Sequence, residues 1–282
     1  MRIIDLSTAV DATLWEPEPV QHVPMSPRQG AEHMTSAMRE HFGLDLSPDE
    51  LPDGEFLNND TFTLTAHTGT HVDAPAHYGT NTAYGTPRTI DQLPLDWFFR
   101  PGFVLDLTGL DAPVARRADL EKALVEIEYE PRPYDIAMLN TGSWVRAGTP
   151  EYFTDFVGLD GPATDFLLDL GVKVIGTDGF SLDAPFSHII AEYRATGDRS
   201  LLWPAHFAGR RREYCQIERL ANLGALPRPH GFTVSCLPVK LTGAGAGWTR
   251  AVAIFDNEYV DVYENTDDPG PERGGPAQEA TA

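Results

Sequence analysis

Three of the nine histidines in this chain fall within one eleven-residue window, residues 67–77, which reads HTGTHVDAPAH. The glycine and the proline disfavour a helix here, and no glutamate follows the first histidine as a helical metalloprotease motif requires. Extended backbone is therefore expected. Alternate side chains of a strand share a face, so His67, His71 and Asp73 are predicted to converge as a metal half-site, with the glycine leaving room between them. A turn with backbone-bonded histidines would leave this clustering unexplained.

The rest of the chain alternates between short apolar runs and segments with helical spacing. Runs with the length and β-branched content of strands lie at 2–6, 61–66, 103–107, 136–139, 172–175, 232–236 and 251–255. Helical spacing is found at 117–127, 163–170 and 187–193, with Gly171 placed to end the second helix. The length of 282 residues suits one large domain or two small ones, and the alternation predicts an α/β fold.

Two segments stand apart from this pattern. Residues 23–58 are rich in proline, methionine and acidic side chains around a short helical stretch at 32–42, which predicts a long excursion from the core. Such excursions often serve as lids or binding loops. Residues 264–282 are dominated by proline, glycine, threonine and acidic residues, so a loosely ordered tail or a subunit contact is expected. The functional domain is expected to occupy residues 1–263.

The charge balance and the apolar content exclude two classes of partner. The chain has 21 lysine and arginine residues against 42 aspartate and glutamate residues, a formal net charge of −21. Its only close basic cluster, residues 210–212, is too short to hold a polyanion, so nucleic-acid binding is not expected. No apolar run approaches the about 18 residues that a membrane span needs, and no secretory signal opens the sequence, so a cytoplasmic location is expected.

Cys215 and Cys236 can form at most one bridge and fit equally well as small buried side chains.

The 67–77 window resembles the signature of the metal-dependent cyclase family, which includes bacterial kynurenine formamidase, isatin hydrolase and enzymes described as polyketide cyclases. Further segments are similar to that family in order and spacing: IDLS at 4–7 followed by Trp15, GVKVIGTD at 171–178 with Ser181 and Asp183, IERLANL at 217–223, and LPVKLTGA at 237–244. The resemblance covers most of the chain apart from the excursion and the tail. It implies a single α/β domain of the swivelling β/β/α type.

The resemblance also implies functions for individual residues in the first half of the chain. It makes His67, His71 and Asp73 metal ligands and His77 the catalytic acid-base. Trp15 follows the family-like opening strand and is predicted to contact substrate. Imidazole and carboxylate ligands suit zinc and also manganese or iron, so a divalent metal is expected, with zinc or manganese as the candidates.

The resemblance also implies a second contribution to the metal site, from a histidine twelve positions before a glutamate late in the chain. His206 and Glu218 have this separation. In two-metal members of the family, Asp73 would bridge and this pair would complete the second site. In one-metal members the pair lines the pocket instead. Both alternatives stay open, with one or two ions per chain.

Together these features predict a metal-dependent hydrolase of an amide, lactam, formamide or lactone bond in a small aromatic substrate, acting through activated water and His77. An intramolecular cyclase or isomerase, similar to a polyketide cyclase, would use the same metal and histidine, so that alternative stays open. A third alternative, a non-catalytic metal-binding protein, would not need an acid-base residue, so the presence of His77 disfavours it. Candidate pocket aromatics are Trp15, Phe42, Tyr78 and Trp203. By resemblance, a homodimer or homotetramer is expected.

Overall fold

Short strands and helices alternate through residues 1–256, the part of the chain that the computed structural model describes. The strands there are β1 (Arg2–Asp5), β2 (Gln21–Val23), β3 (Thr61–Thr63), β4 (His71–Asp73), β5 (Phe99–Asp106), β6 (Val114–Ala115), β7 (Ile136–Asn140), β8 (Gly158–Leu159), β9 (Val174–Thr177), β10 (Cys215–Glu218), β11 (His230–Ser235), β12 (Ala246–Trp248) and β13 (Val252–Phe255). The α-helices are α1 (Pro27–Phe42), α2 (Arg117–Glu126), α3 (Gly161–Asp169), α4 (Phe186–Thr196) and α5 (Pro204–Ala208). The tail expected at 264–282 lies outside the described residues.

Nine strands form one mixed sheet in the order β1-β13-β11-β5-β7-β9-β10-β4-β12. At its centre β5, β7, β9 and β10 run parallel. The strands on either side pair antiparallel, with β11 next to β5 and β4 next to β10. Parallel neighbours need crossover connections, and α2 and α3 lie in the connections that follow β5 and β7. The predicted single α/β domain is confirmed.

The central strands are buried on both faces, as is usual where a parallel sheet is covered on each side. In β7, Ile136 and Met138 join one apolar cluster, whereas Ala137 and Leu139 join the other. The second cluster also contains the buried faces of α2 and α3. Polar side chains in such strands are therefore exceptions that need an explanation.

The excursion leaves the core through a separate two-stranded ribbon. β2 and β3 pair with each other and are exposed along their length. The strand expected at 61–66 therefore ends at Thr63 and belongs to this ribbon instead of the main sheet. Threonine at every second position leaves one face of this segment polar, which suits a ribbon that is exposed to solvent.

Helix α1 fills the middle of the excursion and starts earlier than the predicted stretch at 32–42. Ser26 caps it, because its hydroxyl accepts from the backbone of Gln29 while the Gln29 side chain accepts from the Ser26 backbone. Gly30 lets the helix approach the following segment closely, since a Cβ there would lie 2.0 Å from the carbonyl oxygen of Leu57. Beyond this contact the helix ends at Phe42, whose side chain is exposed.

Both cysteines are free and buried, which fits the expectation of small apolar side chains. Burial raises the pKa of each thiol. Among the described residues, none of the helices combines the length and the apolar character that crossing a bilayer requires.

Candidate metal centre and active site

Strand pairing brings two motifs that are distant in sequence to the same place. β4 lies between β10 and β12, and its His71 is the direct cross-strand partner of Glu218 in β10. Directly opposed side chains share a face of the sheet. His71 Nε2 accordingly lies 3.6 Å from Glu218 Oε2. The register of the sheet therefore joins two of the predicted metal ligands.

His67 reaches the cluster from a turn. The strand is limited to His71–Asp73, and residues 66–70 form turns and bends in which Gly69 has a φ of +65°. That left-handed conformation favours glycine, so Gly69 turns the chain instead of making room in a strand. The predicted extended backbone is thus wrong for residues 66–70. The turn still places His67 Nδ1 2.9 Å from Asp73 Oδ1.

Asp73 is the centre of the cluster. Its carboxylate is fully buried, and among the described residues neither of its oxygens, nor His71 Nε2, has an aligned hydrogen-bond partner. One oxygen lies 3.4 Å from His71 Nε2, and the other lies 3.8 Å from His206 Nε2. Buried polar atoms nearly always have a partner, and unpaired ones are expensive to keep. Unpartnered oxygen and nitrogen atoms that face one another fit a bound cation.

The ligand atoms fall into two groups that share Asp73. One group adds His67 and His77, the other adds His71 and Glu218, and within each group the atoms lie within 4.8 Å of one another. His67 and His71 therefore belong to different groups, although the sequence placed them in one. An imidazole and carboxylate donor set suits zinc, manganese or iron. The shared carboxylate leaves room for one ion or for two.

Helix α5 presents His206 to the same carboxylates. Asp183 accepts hydrogen bonds from the backbone N–H groups of Ala205 and His206, at 2.6 and 3.0 Å, and so fixes the start of this helix. The same carboxylate lies 2.5 Å from His206 Nδ1, which leaves Nε2 facing Glu218 Oε1 at 3.7 Å. A carboxylate behind an imidazole fixes the orientation of the ring and strengthens it as a ligand.

The remaining side chains of the buried part are held in a similar way. His71 Nδ1 lies 2.9 Å from the carbonyl oxygen of Gly69, so this nitrogen donates and Nε2 is left as the ligand atom. Glu218 Oε1 accepts a hydrogen bond of 2.9 Å from the backbone N–H of Leu182. The local chain thus fixes these ligands before any ion binds.

Burial and neighbouring charges shift pKa values throughout the cluster. Burial raises the pKa of Glu218, and the charge of Asp73 raises it further. Burial by itself would lower the pKa of His206, but the hydrogen bond and charge of Asp183 outweigh it and raise that pKa to about 9. In His71, burial is likewise outweighed by Asp73 and Glu218, and its pKa is raised. The carboxylates thus favour positive charge in the cluster, which a bound metal cation would supply.

His77 stands at the edge of the cluster. It belongs to the 3₁₀ turn Pro75–Tyr78 that follows β4, so the proline turns the chain as predicted. The centroid of its ring lies 4.3 Å from that of His67 and 5.5 Å from that of His206. Burial lowers the pKa of His77 to about 4, and the negative charge of Asp73 opposes this shift without cancelling it. The ring is therefore neutral near pH 7 and able to accept a proton, as a general base must be.

The cluster opens into a cavity of about 330 Å³. Its walls are largely aromatic and include Tyr78, Phe180, Phe186, Trp203 and Phe207. The ring of Phe186 contacts those of Phe180 and Trp203, with centroids 6.0 and 5.4 Å apart. Four larger cavities, of about 340 to 640 Å³, include none of the cluster residues in their described linings. The smaller cavity is thus the place where a substrate with an aromatic ring could meet the cluster.

Similarity to known proteins extends over most of the chain. Residues 4–184, which include the 67–77 window, match the protein-family model described as "Putative cyclase". The chain belongs to this cyclase family. Over 200 residues this cyclase-family chain is 28% identical to kynurenine formamidase of Salinibacter ruber, a match that covers 71% of this chain and 81% of that enzyme. His206 and Glu218 lie beyond the part matched by the family model.

Solved structures of similar fold agree with the family assignment. An isatin hydrolase bound to the product analogue thioisatinate gives a TM-score of 0.68 at 20% identity, covering 89% of this cyclase-family chain and 91% of that one. Isatin hydrolase A from Ralstonia solanacearum gives 0.65 at 21% identity, with coverages of 90% and 92%. At these identities the likeness establishes the cyclase-family fold.

Trp15 lies behind the cavity wall and is absent from the described lining. It is 45% exposed, and its ring packs against Phe153 with centroids 5.0 Å apart. Phe153 in turn packs against Phe180 of the wall at 4.6 Å. Contact between Trp15 and substrate stays a prediction, and the structure places this tryptophan where it supports the wall.

Of the other three candidate aromatics, two line the cavity. Tyr78 and Trp203 line the cavity, whereas Phe42 is 74% exposed at the end of α1. Phe180 and Phe186 were not among the residues predicted from the sequence, although both lie next to the family-like segment that holds Ser181 and Asp183, and that position was the available signal.

Proposed function

We propose that this cyclase-family protein is a metal-dependent hydrolase of an amide, lactam, formamide or lactone bond in a small aromatic substrate. The observation that carries the proposal is the arrangement around Asp73, whose buried, unpartnered oxygens face imidazoles at the base of an aromatic cavity beside His77. A formamidase among the relatives and a hydrolase among the similar structures support hydrolysis at a C–N bond.

Zinc or manganese, one or two ions per chain, is the cofactor that the donor set supports. The residues that would hold it are His67, His71, Asp73, His206 and Glu218. When bound, such an ion acidifies water and polarises a carbonyl oxygen.

The residues of the chain perform the other parts of the reaction. His77 accepts a proton from the attacking water at its neutral ring and returns it to the leaving nitrogen or oxygen. Asp183 keeps the Nε2 atom of His206 directed at the cluster. The aromatic wall positions the ring of the substrate, so that the bond to be cleaved lies over the cluster. The carbonyl carbon gains the hydroxyl group of water and the leaving nitrogen or oxygen gains its other proton, so an amide or formamide gives two products and a lactam or lactone opens to one.

Oxygen-18 water separates hydrolysis from cyclisation or isomerisation. Purified, metal-loaded protein is incubated with N-formylkynurenine, isatin or an aryl lactone, and mass spectrometry follows the product. We expect one labelled oxygen in the acid product, with chelator-treated protein and buffer as controls. A product without label would identify an intramolecular cyclase or isomerase that uses the same residues. Absence of turnover with all three compounds would argue against the proposed substrate class.

The family resemblance also leads us to propose a homodimer or homotetramer that binds a small molecule. Light scattering on the purified protein measures the assembly directly. A monomer at micromolar concentration would contradict this part of the proposal.

A further inference from the structure

Arg219 is a buried cation that directly follows the metal-facing Glu218 in the chain. Its side chain is only 3% exposed. Its backbone has a φ of +63°, a left-handed conformation that is uncommon for a long side chain. A buried guanidinium needs compensating partners. The reaction described above gives this residue no part, so its contacts call for another explanation.

The guanidinium of Arg219 joins three parts of the molecule. Nη2 pairs with Oε1 of Glu16, whose side chain is 12% exposed. Nη1 donates to the backbone carbonyl of His67 at 3.4 Å. The guanidinium carbon also lies 5.5 Å from the ring centroid of Phe153 and 5.8 Å from that of Tyr152. One planar group thus holds the amino-terminal loop, the turn that carries His67, and the aromatic layer behind the cavity.

The main chain of Arg219 holds the same turn. Its carbonyl oxygen accepts hydrogen bonds from Thr70 Oγ1 at 2.6 Å and from Thr8 Oγ1 at 2.8 Å. The Thr70 hydroxyl oxygen also accepts from the backbone N–H of Thr8 at 2.8 Å. The turn at 66–70 is therefore tied to Arg219 through both its side chain and its backbone.

His67 depends on this support more than the other imidazoles of the cluster. The Nδ1 atoms of His71 and His206 are fixed by a carbonyl oxygen and by a carboxylate. His67 lies on a turn, and its side chain is 38% exposed. Apart from its contact with Asp73, the direction of its ring is therefore set by the backbone of the turn, and Arg219 contacts that backbone directly.

We propose that Arg219, paired with Glu16, is a positioning residue that holds the 66–70 turn so that His67 faces Asp73. The inference rests on the proposed function, because it assigns Arg219 a part in metal binding. A buried ion pair contributes little net stability compared with apolar side chains of similar volume. Support of a metal ligand therefore accounts for this pair better than stabilisation of the fold.

The first test measures zinc and manganese affinity of Arg219→Lys by competition with a chelator. Lysine keeps the charge and can still pair with Glu16, but it lacks the planar fork that reaches the His67 carbonyl at the same time. We expect affinity to fall by about 10–100-fold, the effect typical of residues that support metal ligands, with a Tm close to that of the wild type.

A matched control is Arg88→Lys. Arg88 makes two hydrogen bonds of 2.7 Å to the carboxylate of Glu213, and its guanidinium lies 4.9 Å from the ring centroid of Trp97. Like Arg219 it has an acidic partner and an aromatic neighbour, and its side chain is 31% exposed. Wild-type metal affinity is expected in this variant.

The second test asks whether Arg219 acts through His67. In a His67→Ala background, Arg219→Lys should cause little further loss of affinity, because the supported ligand is already gone. Additive losses would overturn the positioning role. If Arg219→Lys fails to fold, Glu16→Gln keeps the guanidinium and weakens its pair, and a loss in the same direction is expected.

The outcomes separate this inference from the proposed function. If the wild-type protein binds metal and the affinity is unchanged in Arg219→Lys, or in its substitute Glu16→Gln, the positioning role is overturned. The proposed function then still stands. A wild-type protein that binds neither zinc nor manganese overturns both.

Discussion

The cluster has two sides that are built differently. The buried wall consists of side chains on paired strands and on a helix, namely His71, Asp73, Glu218 and His206. The open side consists of His67 on a turn and His77 on a 3₁₀ segment. Register and helix position hold the wall, whereas the hydrogen bonds of Arg219 to the 66–70 turn and the Pro75 turn hold the open side. Rigid elements give precise ligand geometry, so we propose that the wall supplies most of the metal ligands, while His67 completes the set from the open side and His77 transfers the proton there.

The largest effect is expected at Asp73, which both groups of ligand atoms share. Asp73→Asn keeps the shape of the side chain but removes its charge. We expect metal affinity to fall by more than the about 100-fold seen for supporting residues, and turnover to be lost with it. Elemental analysis after dialysis measures the bound metal. Full occupancy in this variant would show that the wall is not the metal site.

The next largest effect is expected on the open side. His77→Ala should reduce turnover by about 10²–10⁴, the usual contribution of general acid-base catalysis, while the metal content stays at the wild-type level. Steady-state kinetics and elemental analysis of the same preparation check both halves of this prediction. Loss of metal in His77→Ala would place this histidine among the ligands and remove the proposed distinction between the two sides.

A smaller effect is expected at Asp183, whose carboxylate holds the ring of His206. Asp183→Asn removes the charge that holds His206, so metal affinity should fall by about 10–100-fold. Asp178→Asn is the matched control, since Asp178 is also buried but accepts from the backbone of Thr141 and Gly142 at 2.8 Å. Equal losses in the two variants would mean that general destabilisation, and not the His206 contact, sets the affinity.

Glu218→Ala tests how many ions the two sides hold. Titration of the metal-free protein should give two equivalents per chain if each group of ligand atoms binds its own ion, and one fewer in the variant. Isothermal titration calorimetry measures the count. One equivalent in both proteins would assign Glu218 to the lining of the pocket and leave Asp73 with a single ion.

The smallest effect is expected for the dependence of thermal stability on pH in the metal-free protein. Because the pKa of His206 is raised to about 9 from an ordinary 6.5, the stability it contributes is fully present below pH 6.5 and is lost as the pH rises to 9. The Tm of chelator-treated protein should therefore fall by a few degrees over that window, since each kcal/mol shifts Tm by about 2–4 °C in a large domain. His206→Gln should flatten this slope. A slope that persists in the variant would assign the effect to another group.

The sequence predicted the ligands better than it predicted how they meet. His67, His71 and Asp73 were evident because they are clustered in one window, and all three lie in the cluster. The pairing of His71 with Glu218 depends on β4 entering the sheet beside β10, and local sequence does not encode which distant strands pair. The turn at Gly69 was missed because alternating threonines and histidines resemble a strand, while the left-handed glycine decides the backbone.

The same reasoning explains the fold predictions. The strands β5, β7 and β9 were found because they are nearly continuous apolar runs. β10 was missed as a strand because Gln216 and Glu218 interrupt its apolar pattern, although both are buried. Polar residues in a central strand violate the local pattern where a site requires them. A departure from the pattern is therefore itself a signal of function.

The opposition of His71 and Glu218 also determines where length changes can be tolerated. One residue inserted within β4 or β10 would turn the following side chains to the other face of the sheet and part the two ligands, with every ligand residue still present. Between β2 and β3, by contrast, each doubling of the connecting segment adds only about 0.6 kcal/mol of closure entropy. Related chains are therefore expected to differ in length between residues 24 and 60 and to keep an unchanged residue count through 71–73 and 215–218.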